Sequence, residues 1–171
     1  MVTIRKEQQK DIKAIRDVNE LAFGQAEEAE IVDALRDVYD SLLSLVAVED
    51  EKIVGHILFS MASIHDGDDV TVGMGLAPMA VLPEYQGRGI GSALVCGGLE
   101  MLKEWDFPFV IVLGHATYYP RFGFEKASAY GIQPQWDGVP DEAFMIYILN
   151  DDEMQGVCGV ARYRDEFDAA M

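Results

Sequence analysis

A glycine-rich segment near the middle of the chain constrains the fold more than any other feature of the sequence. The segment reads Gln86-Gly87-Arg88-Gly89-Ile90-Gly91, and it separates a β-rich stretch ending at Leu82 from a stretch with helical spacing of apolar residues. A loop of this kind at the start of a helix presents several backbone N–H groups beside the positive end of the helix dipole. Because glycine has no Cβ, a phosphate can approach that backbone closely. The segment therefore predicts an anion site between a strand and a helix.

Two common phosphate-binding motifs do not match this segment. The Walker loop requires Gly-Lys-Ser or Gly-Lys-Thr at a fixed spacing, and no such tripeptide follows here. The dinucleotide fingerprint requires G-x-G-x-x-G, whereas the glycines here occupy alternate positions. Alternate glycines before a helix also occur in tight turns that bind nothing. The glycine pattern alone therefore does not distinguish a phosphate-binding loop from a turn without a ligand.

Longer stretches on both sides of the loop resemble a known family. The pattern Gln86-x-x-Gly89-x-Gly91 resembles the Q/R-x-x-G-x-G/A pyrophosphate loop of the GNAT superfamily of acyl-CoA-dependent N-acyltransferases. The preceding strand end at 79–83 and the following helix start at 91–94 match the family as well. Downstream, the segment Tyr119-Pro120-Arg121-Phe122-Gly123-Phe124 resembles the family's Y-x-x-x-G-F segment, and the similarity covers roughly residues 2–128.

The periodicity of apolar residues predicts an α+β domain, in which alternation marks strands and three-to-four-residue recurrence marks helices. Strands are predicted at 2–5, 43–48, 53–64, 70–82, 107–113 and 144–149. Apolar residues at helical spacing predict helices that carry residues 12–21, 31–38 and 90–105, the last with Trp105 on its apolar face. The resemblance implies a mixed, mostly antiparallel sheet of about six to seven strands with a splayed central pair, flanked by helices. We treat residues 1–171 as a single domain, in which residues 129–171 match the family less clearly.

The resemblance also implies which residues bind acetyl-CoA as the co-substrate, without a metal. The pyrophosphate would contact the loop residues Gln86, Gly87, Arg88, Gly89, Ile90, Gly91 and Ser92. Its donors would be the backbone N–H groups of Arg88, Gly89, Gly91 and Ser92. The pantetheine arm would complete the backbone ladder of the bulged fourth strand at Met79, Ala80 and Val81. An N–H near Met79 would polarise the thioester carbonyl, a contact commonly worth about 3–4 kcal/mol.

Direct attack of a neutral amine on the thioester requires no protein nucleophile, but the leaving thiolate requires a proton. Tyr119, four residues before Gly123, matches the family's general-acid tyrosine. An ordinary tyrosine pKa of about 10 keeps its proton at neutral pH. The alternative for Tyr119 is a structural role as a core aromatic. His115 is the candidate base, because it follows the strand expected to line the cleft and histidine titrates near neutral pH. His56 can equally be a structural residue.

One position departs from the family pattern. Many members carry an Asn at the end of the fifth strand, where it contacts the pantetheine, whereas this chain reads Val112-Leu113-Gly114-His115. Either His115 takes over a polar role there, or the contact is missing. On the acceptor side, the family typically places a segment that corresponds to Glu27, Glu28 and Glu30, whose carboxylates would attract an amine.

Charge and cysteine content restrict the partners. Thirteen basic and thirty acidic residues give a formal charge of −17, which disfavours nucleic-acid binding and docking on anionic membranes. Two widely separated cysteines fit a reducing, cytoplasmic location. We expect a small-molecule or peptide amine as acceptor, and the family resemblance allows a homodimer. The leading hypothesis is an N-acetyltransferase acting on a primary amine; the alternative is a non-catalytic acyl-CoA-binding module of the same fold.

Overall fold

The computed structural model of the protein describes residues 1–38 and 42–170, which fall into two compact units. The first unit comprises residues 1–59, 77–100 and 166–170, and the second comprises residues 60–76 and 101–165. Several long elements therefore contribute residues to both units. The single domain proposed over residues 1–171 stays a prediction.

The described residues contain strands, helices and short 3-10 turns in an order close to the predicted one. The helices are α1 (Ile12–Phe23), α2 (Glu27–Val38), α3 (Ile90–Glu104) and the short α4 (Asp151–Met154). The first five strands are β1 (Thr3–Lys6), β2 (Leu43–Glu49), β3 (Lys52–Asp66), β4 (Asp69–Val81) and β5 (Phe109–Leu113). The other four are β6 (Glu125–Lys126), β7 (Ile132–Pro134), β8 (Phe144–Ile148) and β9 (Gly159–Arg162).

Hydrogen bonding orders the strands as β1-β2-β3-β4-β5-β8-β6, and β9 joins them by pairing with both β3 and β7. Among the pairs with an assigned register, β4–β5 and β7–β9 are parallel and the others are antiparallel. The predicted α+β fold with a mixed, mostly antiparallel sheet and flanking helices is confirmed. The short strands β6, β7 and β9 lie in the part of the sequence with the weakest periodicity, and with them the sheet has nine strands in the described residues.

In the first unit, the central apolar residues of α1 and α2 are buried, whereas Leu21 and Val38 near the helix ends are exposed. Ile15 and Val18 of α1 and Leu35 of α2 are each at most 2% exposed. α1 ends at Gly24, whose φ of +72° is the left-handed conformation that glycine adopts without steric cost, and whose N–H donates to the Glu20 carbonyl. This turn separates the two helices that the sequence predicts.

The start of α3 lies close to β3 because two glycines remove side chains at the contact. A Cβ on Gly55 of β3 would lie 3.1 Å from Ile90 Cγ2 and 3.2 Å from Leu94 Cδ1. A Cβ on Gly98 of α3 would lie 2.2 Å from the ring of Phe59, which is fully buried. This close packing fixes the first turns of α3, and with them the glycine loop that precedes the helix.

In the second unit, β5 lies between a parallel and an antiparallel neighbour. It pairs with β4 from Met74↔Val110 to Leu76↔Val112, and with β8 from Phe109↔Ile148 to Leu113↔Phe144. Its residues 109–112 are almost completely buried, as expected for a strand covered on both faces. The helix that precedes β5 ends at Glu104, and Trp105, which was expected on the apolar face of this helix, is 40% exposed.

Candidate active site

The glycine loop follows the end of β4 and leads into α3, as the sequence predicts. β4 ends at Val81, one 3-10 turn spans Pro83–Tyr85, and α3 begins at Ile90. The side-chain amide of Gln86 donates to the Val81 carbonyl at 3.0 Å, and the Tyr85 N–H donates to the Leu82 carbonyl at 2.8 Å. These hydrogen bonds hold the loop against the end of the strand. The side chain of Gln86, the first residue of the motif, therefore has a structural role.

A row of backbone N–H groups in this loop is left without an internal acceptor. The Gln86 N–H donates to the Pro83 carbonyl at 3.4 Å, and the Ala93 N–H makes the first hydrogen bond of α3, to the Gly89 carbonyl at 3.0 Å. Between them, the N–H groups from Gly87 to Gly91 donate to no group in residues 1–38 and 42–170. Such a row at a helix start is an anion-binding arrangement.

The backbone conformation explains two of the glycines in the loop. Gly87 and Gly89 have φ values of +77° and +81°, which side chains with a Cβ rarely adopt. A Cβ at either position would meet no described atom within 4 Å. The left-handed backbone, rather than crowding by the protein, therefore requires glycine here, and the space over both residues is open to a ligand.

Two cations lie beside the loop. The Arg88 guanidinium lies 4.9 Å from the centre of the Tyr85 ring and donates to the Glu84 carbonyl at 3.2 Å. Lys52 Nζ lies 5.4 Å from the same ring. Their carboxylate partners are distant, 3.9 Å for Arg88 to Glu49 and 3.8 Å for Lys52 to Glu84. Exposed ion pairs of this kind contribute at most about 1 kcal/mol, so both cations can turn toward an anion at little cost.

The end of β4 holds the predicted pantetheine-binding residues. The parallel pairing of β4 with β5 covers Met74 to Leu76, and β4 continues beyond it to Val81. Among the described residues, the assigned pairing with β5 does not include Met79, Ala80 or Val81. Ala80 is buried, whereas Met79 and Val81 are partly exposed. Ala77–Pro78, just before these residues, is a cis peptide bond.

Tyr119, the predicted general acid, begins a 3-10 turn that spans Tyr119–Phe122. Its ring is 6% exposed and makes edge-to-face contacts with Tyr118 and Phe124, at centroid distances of 5.1 and 5.6 Å. Burial raises the pKa of the Tyr119 phenol, and the neighbouring Tyr118 raises it further. The hydroxyl therefore keeps its proton at neutral pH, and within the described residues it donates to no protein group.

The turn that carries Tyr119 leaves no room for a side chain at residue 114, within the segment where the family's Asn is absent. A Cβ on Gly114 would lie 2.5 Å from Cε2 of Tyr119, so the tyrosine ring occupies the space that a side chain at residue 114 needs. His115 is exposed, and its backbone carbonyl accepts the N–H groups of Tyr118 at 3.1 Å and Tyr119 at 3.4 Å. The main chain of His115 thus shapes the turn, while no group in residues 1–38 and 42–170 is hydrogen-bonded to its ring.

His56 is part of a buried polar network in the first unit. Asn19 Nδ2 donates to the Ile15 carbonyl at 2.9 Å and to His56 Nδ1 at 3.1 Å, which makes Nδ1 an acceptor. His56 Nε2 therefore carries the hydrogen and donates to Ser44 Oγ at 2.8 Å. Complete burial lowers the pKa of His56 to about 4, although Glu7 opposes this shift. A neutral, fully bonded histidine of this kind is structural, which agrees with the alternative given for His56.

In residues 1–38 and 42–170, no group of three or more His, Cys, Asp or Glu side chains is arranged to hold a metal ion. No helix in the same residues has the length and apolar content needed to cross a membrane.

Comparison with known proteins agrees with the fold. A family model of the acetyltransferase (GNAT) domain matches residues 3–127. The N-acetyltransferase YhbS of Escherichia coli strain K12 is 37% identical over 147 residues, which are 85% of this chain and 86% of YhbS. The crystal structure of Escherichia coli YhbS in complex with CoA has a TM-score of 0.89 at 35% identity, covering 98% of this chain and 92% of that one. A GNAT family acetyltransferase from Brucella melitensis, solved with acetyl-CoA, has a TM-score of 0.81 at 36% identity, covering 98% and 99%.

The order of the strands and the matching family model define the class of protein. The chain belongs to the GNAT family of acetyltransferases. It is an acyl-CoA-dependent acetyltransferase, so the prediction that it is an enzyme is confirmed.

Proposed function

We propose that the protein transfers an acetyl group from acetyl-CoA to a primary amine by direct attack within a ternary complex. The observation that carries this proposal is the row of N–H groups from Gly87 to Gly91, which find no acceptor among the described residues at the start of α3. Backbone N–H groups are strong donors that need a partner, and a pyrophosphate supplies several acceptor oxygens together with negative charge. Arg88 and Lys52 add positive charge beside them.

The remaining cofactor contacts in the proposal are those of β4. The pantetheine amides would bond to the backbone of Met79, Ala80 and Val81, for which no β5 partner is assigned in the described chain. The Met79 N–H would donate to the thioester carbonyl and stabilise the negative charge that develops on its oxygen during attack. The partial exposure of Met79 and Val81 supports this assignment.

The chemical step requires one bond to form and one to break. The amine nitrogen attacks the thioester carbon, the C–N bond forms, and the C–S bond then breaks with both electrons moving to sulfur. Tyr119 would donate its proton to that sulfur and recover one from solvent, while the amine nitrogen loses a proton to water or to a base. Burial, which raises the pKa of Tyr119, favours this donor role over one as a base.

The proposed acceptor is a small-molecule or peptide amine that is cationic in solution. The formal charge of −17 attracts cations over long range and raises their local concentration. A cationic amine must lose a proton before attack, so the rate should rise with pH toward the amine pKa, about 10 for a lysine-like amine. A cytoplasmic location and a homodimer belong to the same proposal.

A panel of amines tests this function. Each amine is mixed with protein and acetyl-CoA, and release of free CoA thiol is followed at several pH values. We expect at least one primary amine to accelerate release, and acetyl-CoA alone to raise the melting temperature by mass action. If acetyl-CoA stabilises the protein and no amine accelerates thiol release, the proposed acceptor class is wrong.

A further inference from the structure

The side chain of Tyr163 joins the two parallel strands β4 and β5. Tyr163 follows β9, and only 6% of it is exposed. Its hydroxyl lies 3.1 Å from the Leu76 carbonyl of β4 and 3.2 Å from the Ile111 carbonyl of β5. A hydroxyl has a single hydrogen, so the two carbonyls share it in a three-centre hydrogen bond.

The two carbonyls mark the point where the assigned pairing of β4 with β5 stops. Leu76↔Val112 is its last step, and Gly75↔Ile111 is the step before. Because the Tyr163 hydroxyl oxygen contacts both carbonyls, the carbonyl groups of Leu76 and Ile111 must both point toward that hydroxyl. Burial raises the pKa of the Tyr163 phenol, and a hydrogen bond with the Leu113 backbone opposes this rise. The hydroxyl therefore contacts both strands where their pairing ends.

The position of the Tyr163 ring is tightly determined. A Cβ on Gly75 would lie 2.5 Å from Cε1 of Tyr163, so the ring occupies the space that a side chain at this strand position would fill. Trp136 stacks on the ring at a centroid distance of 5.7 Å and an interplanar angle of 23°. The Tyr163 N–H donates to Gln135 Oε1 at 2.6 Å. The sheet, the stacked ring of Trp136 and a main-chain hydrogen bond together hold the Tyr163 hydroxyl in place.

We propose that Tyr163 is a positioning residue, whose hydroxyl fixes the place where β4 leaves β5 so that the acyl-CoA-binding residues after Leu76 start from a defined backbone position. This role rests on the proposed function, because it assigns acyl-CoA to the end of β4. Tyr163 touches neither reacting atoms nor cofactor in this scheme. It acts through the backbone of Leu76, which precedes residues 77–81 in the same strand.

Tyr163→Phe tests the hydroxyl alone, because phenylalanine keeps the ring against Gly75 and Trp136. The loss of one buried hydrogen bond is worth roughly tenfold in an equilibrium constant. We therefore expect the Kd and the KM for acetyl-CoA to rise about tenfold, with kcat at saturating acetyl-CoA changed by less than about threefold. Backbone amide hydrogen exchange should accelerate in the segments 74–82 and 109–114.

Tyr130→Phe is the matched control. Tyr130 is exposed and donates one hydrogen bond, to Glu125 at 2.9 Å, away from β4 and β5 along the chain. This variant should leave the Kd and the exchange of both segments unchanged. Trp136→Leu keeps the Tyr163 hydroxyl but removes the stacked ring, so it should raise the Kd for acetyl-CoA by a smaller factor. This variant provides the test if Tyr163→Phe does not fold.

The outcomes separate this inference from the proposed function. If wild-type protein binds acetyl-CoA and both variants bind it equally well with unchanged exchange, the positioning role is wrong and the proposed function stands. If wild-type protein does not bind acetyl-CoA, the proposed function fails and the positioning role fails with it. Slower turnover in Tyr163→Phe at unchanged Kd and KM would also contradict the positioning role.

Discussion

The ring of Tyr119 lies over the backbone of Gly114, in the space where a side chain at that position would stand. A Cβ on Gly114 would approach Cε2 of Tyr119 to 2.5 Å and Cδ2 to 3.1 Å. Real Cβ atoms do not come this close to ring carbons, and the ring is enclosed by Tyr118 and Phe124. The identity of residue 114 and the orientation of the proposed acid are therefore coupled.

The first prediction concerns Gly114→Ala. The added methyl group must displace the Tyr119 ring, and overpacking of this kind costs about 1–3 kcal/mol of unfolding free energy. We expect that loss in urea denaturation and a lower kcat, with little change in the Kd for acetyl-CoA. In a Tyr119→Phe background, Gly114→Ala should still destabilise the protein but should lower kcat little further. Equal kcat losses in both backgrounds would show that Gly114 acts independently of the Tyr119 hydroxyl.

The second prediction concerns Tyr119→Phe alone. The ring contacts remain, so the melting temperature should change little, while the loss of a positioned acid should lower kcat by about 10²-fold or more. The Kd for acetyl-CoA should stay the same, because the proposed binding groups lie in the loop and in β4. Full turnover in this variant would show that another group donates the proton. Tyr119 would then have only a structural role, as an aromatic residue of the core.

The third prediction concerns acid sensitivity. The pKa of His56 is about 4 in the folded protein, where burial disfavours the charged ring, and 6.5 is its ordinary value. The unfolded chain therefore takes up the proton first, and stability is lost as the pH falls from about 6.5 to about 4. That difference corresponds to roughly 3 kcal/mol. Asp11 contributes in the same direction at lower pH, because the hydrogen bond from Arg5 lowers its pKa.

Unfolding free energies between pH 7.5 and pH 4 measure this effect. In His56→Gln the slope over this range should flatten, even if the variant is less stable at every pH. His65→Gln is the control, since His65 lies closer to the surface and bonds only to Ser63 Oγ, at 2.8 Å, among the hydrogen bonds of the described residues. An unchanged slope in His56→Gln would mean that His56 is protonated in the folded state as readily as in the unfolded one.

The fourth prediction compares two adjacent glycines of α3. A Cβ on Gly98 would lie 2.2 Å from the buried Phe59 ring, whereas a Cβ on Gly97 would lie 3.4 Å from Ile4 Cγ2, an ordinary contact. Alanine gains about 1 kcal/mol of helix propensity at either site. Gly97→Ala should therefore stabilise the protein slightly, while Gly98→Ala should destabilise it by about 1–3 kcal/mol. Thermal and urea unfolding of both variants check the difference, and equal stabilities would contradict the packing of α3 on β3.

The fifth prediction concerns the loop glycines. Gly89 and Gly24 have similar left-handed φ values, +81° and +72°, and a Cβ on either would meet no described atom within 4 Å. Alanine should therefore cost about the same backbone strain at both sites, roughly 1–2 kcal/mol. Only Gly89→Ala should weaken acetyl-CoA binding, because its methyl group stands beside the unpaired N–H groups. Isothermal titration of both variants measures this, and equal affinities would contradict a role for the loop backbone.

Local features of the site were predictable from sequence, and long-range features were not. The loop from Gln86 to Gly91 is specified by neighbouring residues, since positive φ values and a helix start both require a local glycine pattern. Tyr119 could be placed because Gly123 and Phe124 follow it at a fixed spacing. The strands β1 to β5 and β8 carried clear periodicity, whereas β6, β7 and β9 are two to four residues long and too short to show any.

Tyr163 illustrates what sequence could not provide. The C-terminal region contains Tyr163 and other aromatic residues without a recognisable motif, and such residues can either line a pocket or pack in a core. The contacts of Tyr163 with Leu76 and Ile111 span 87 and 52 residues of sequence, and no local pattern encodes them. The steric conflict between a side chain at residue 114 and the Tyr119 ring could not be predicted from the sequence either, because it depends on the path of the turn that follows.

The most direct test of the proposed cofactor site follows the loop amides themselves. In ¹⁵N-labelled protein titrated with CoA, the backbone N–H resonances of Gly87, Arg88, Gly89, Ile90 and Gly91 should shift most strongly and move downfield as they gain an acceptor. The Gly24 resonance, from a glycine of similar conformation, should stay in place. Saturation with CoA that leaves the five loop resonances unmoved would contradict the assignment of the pyrophosphate to this loop.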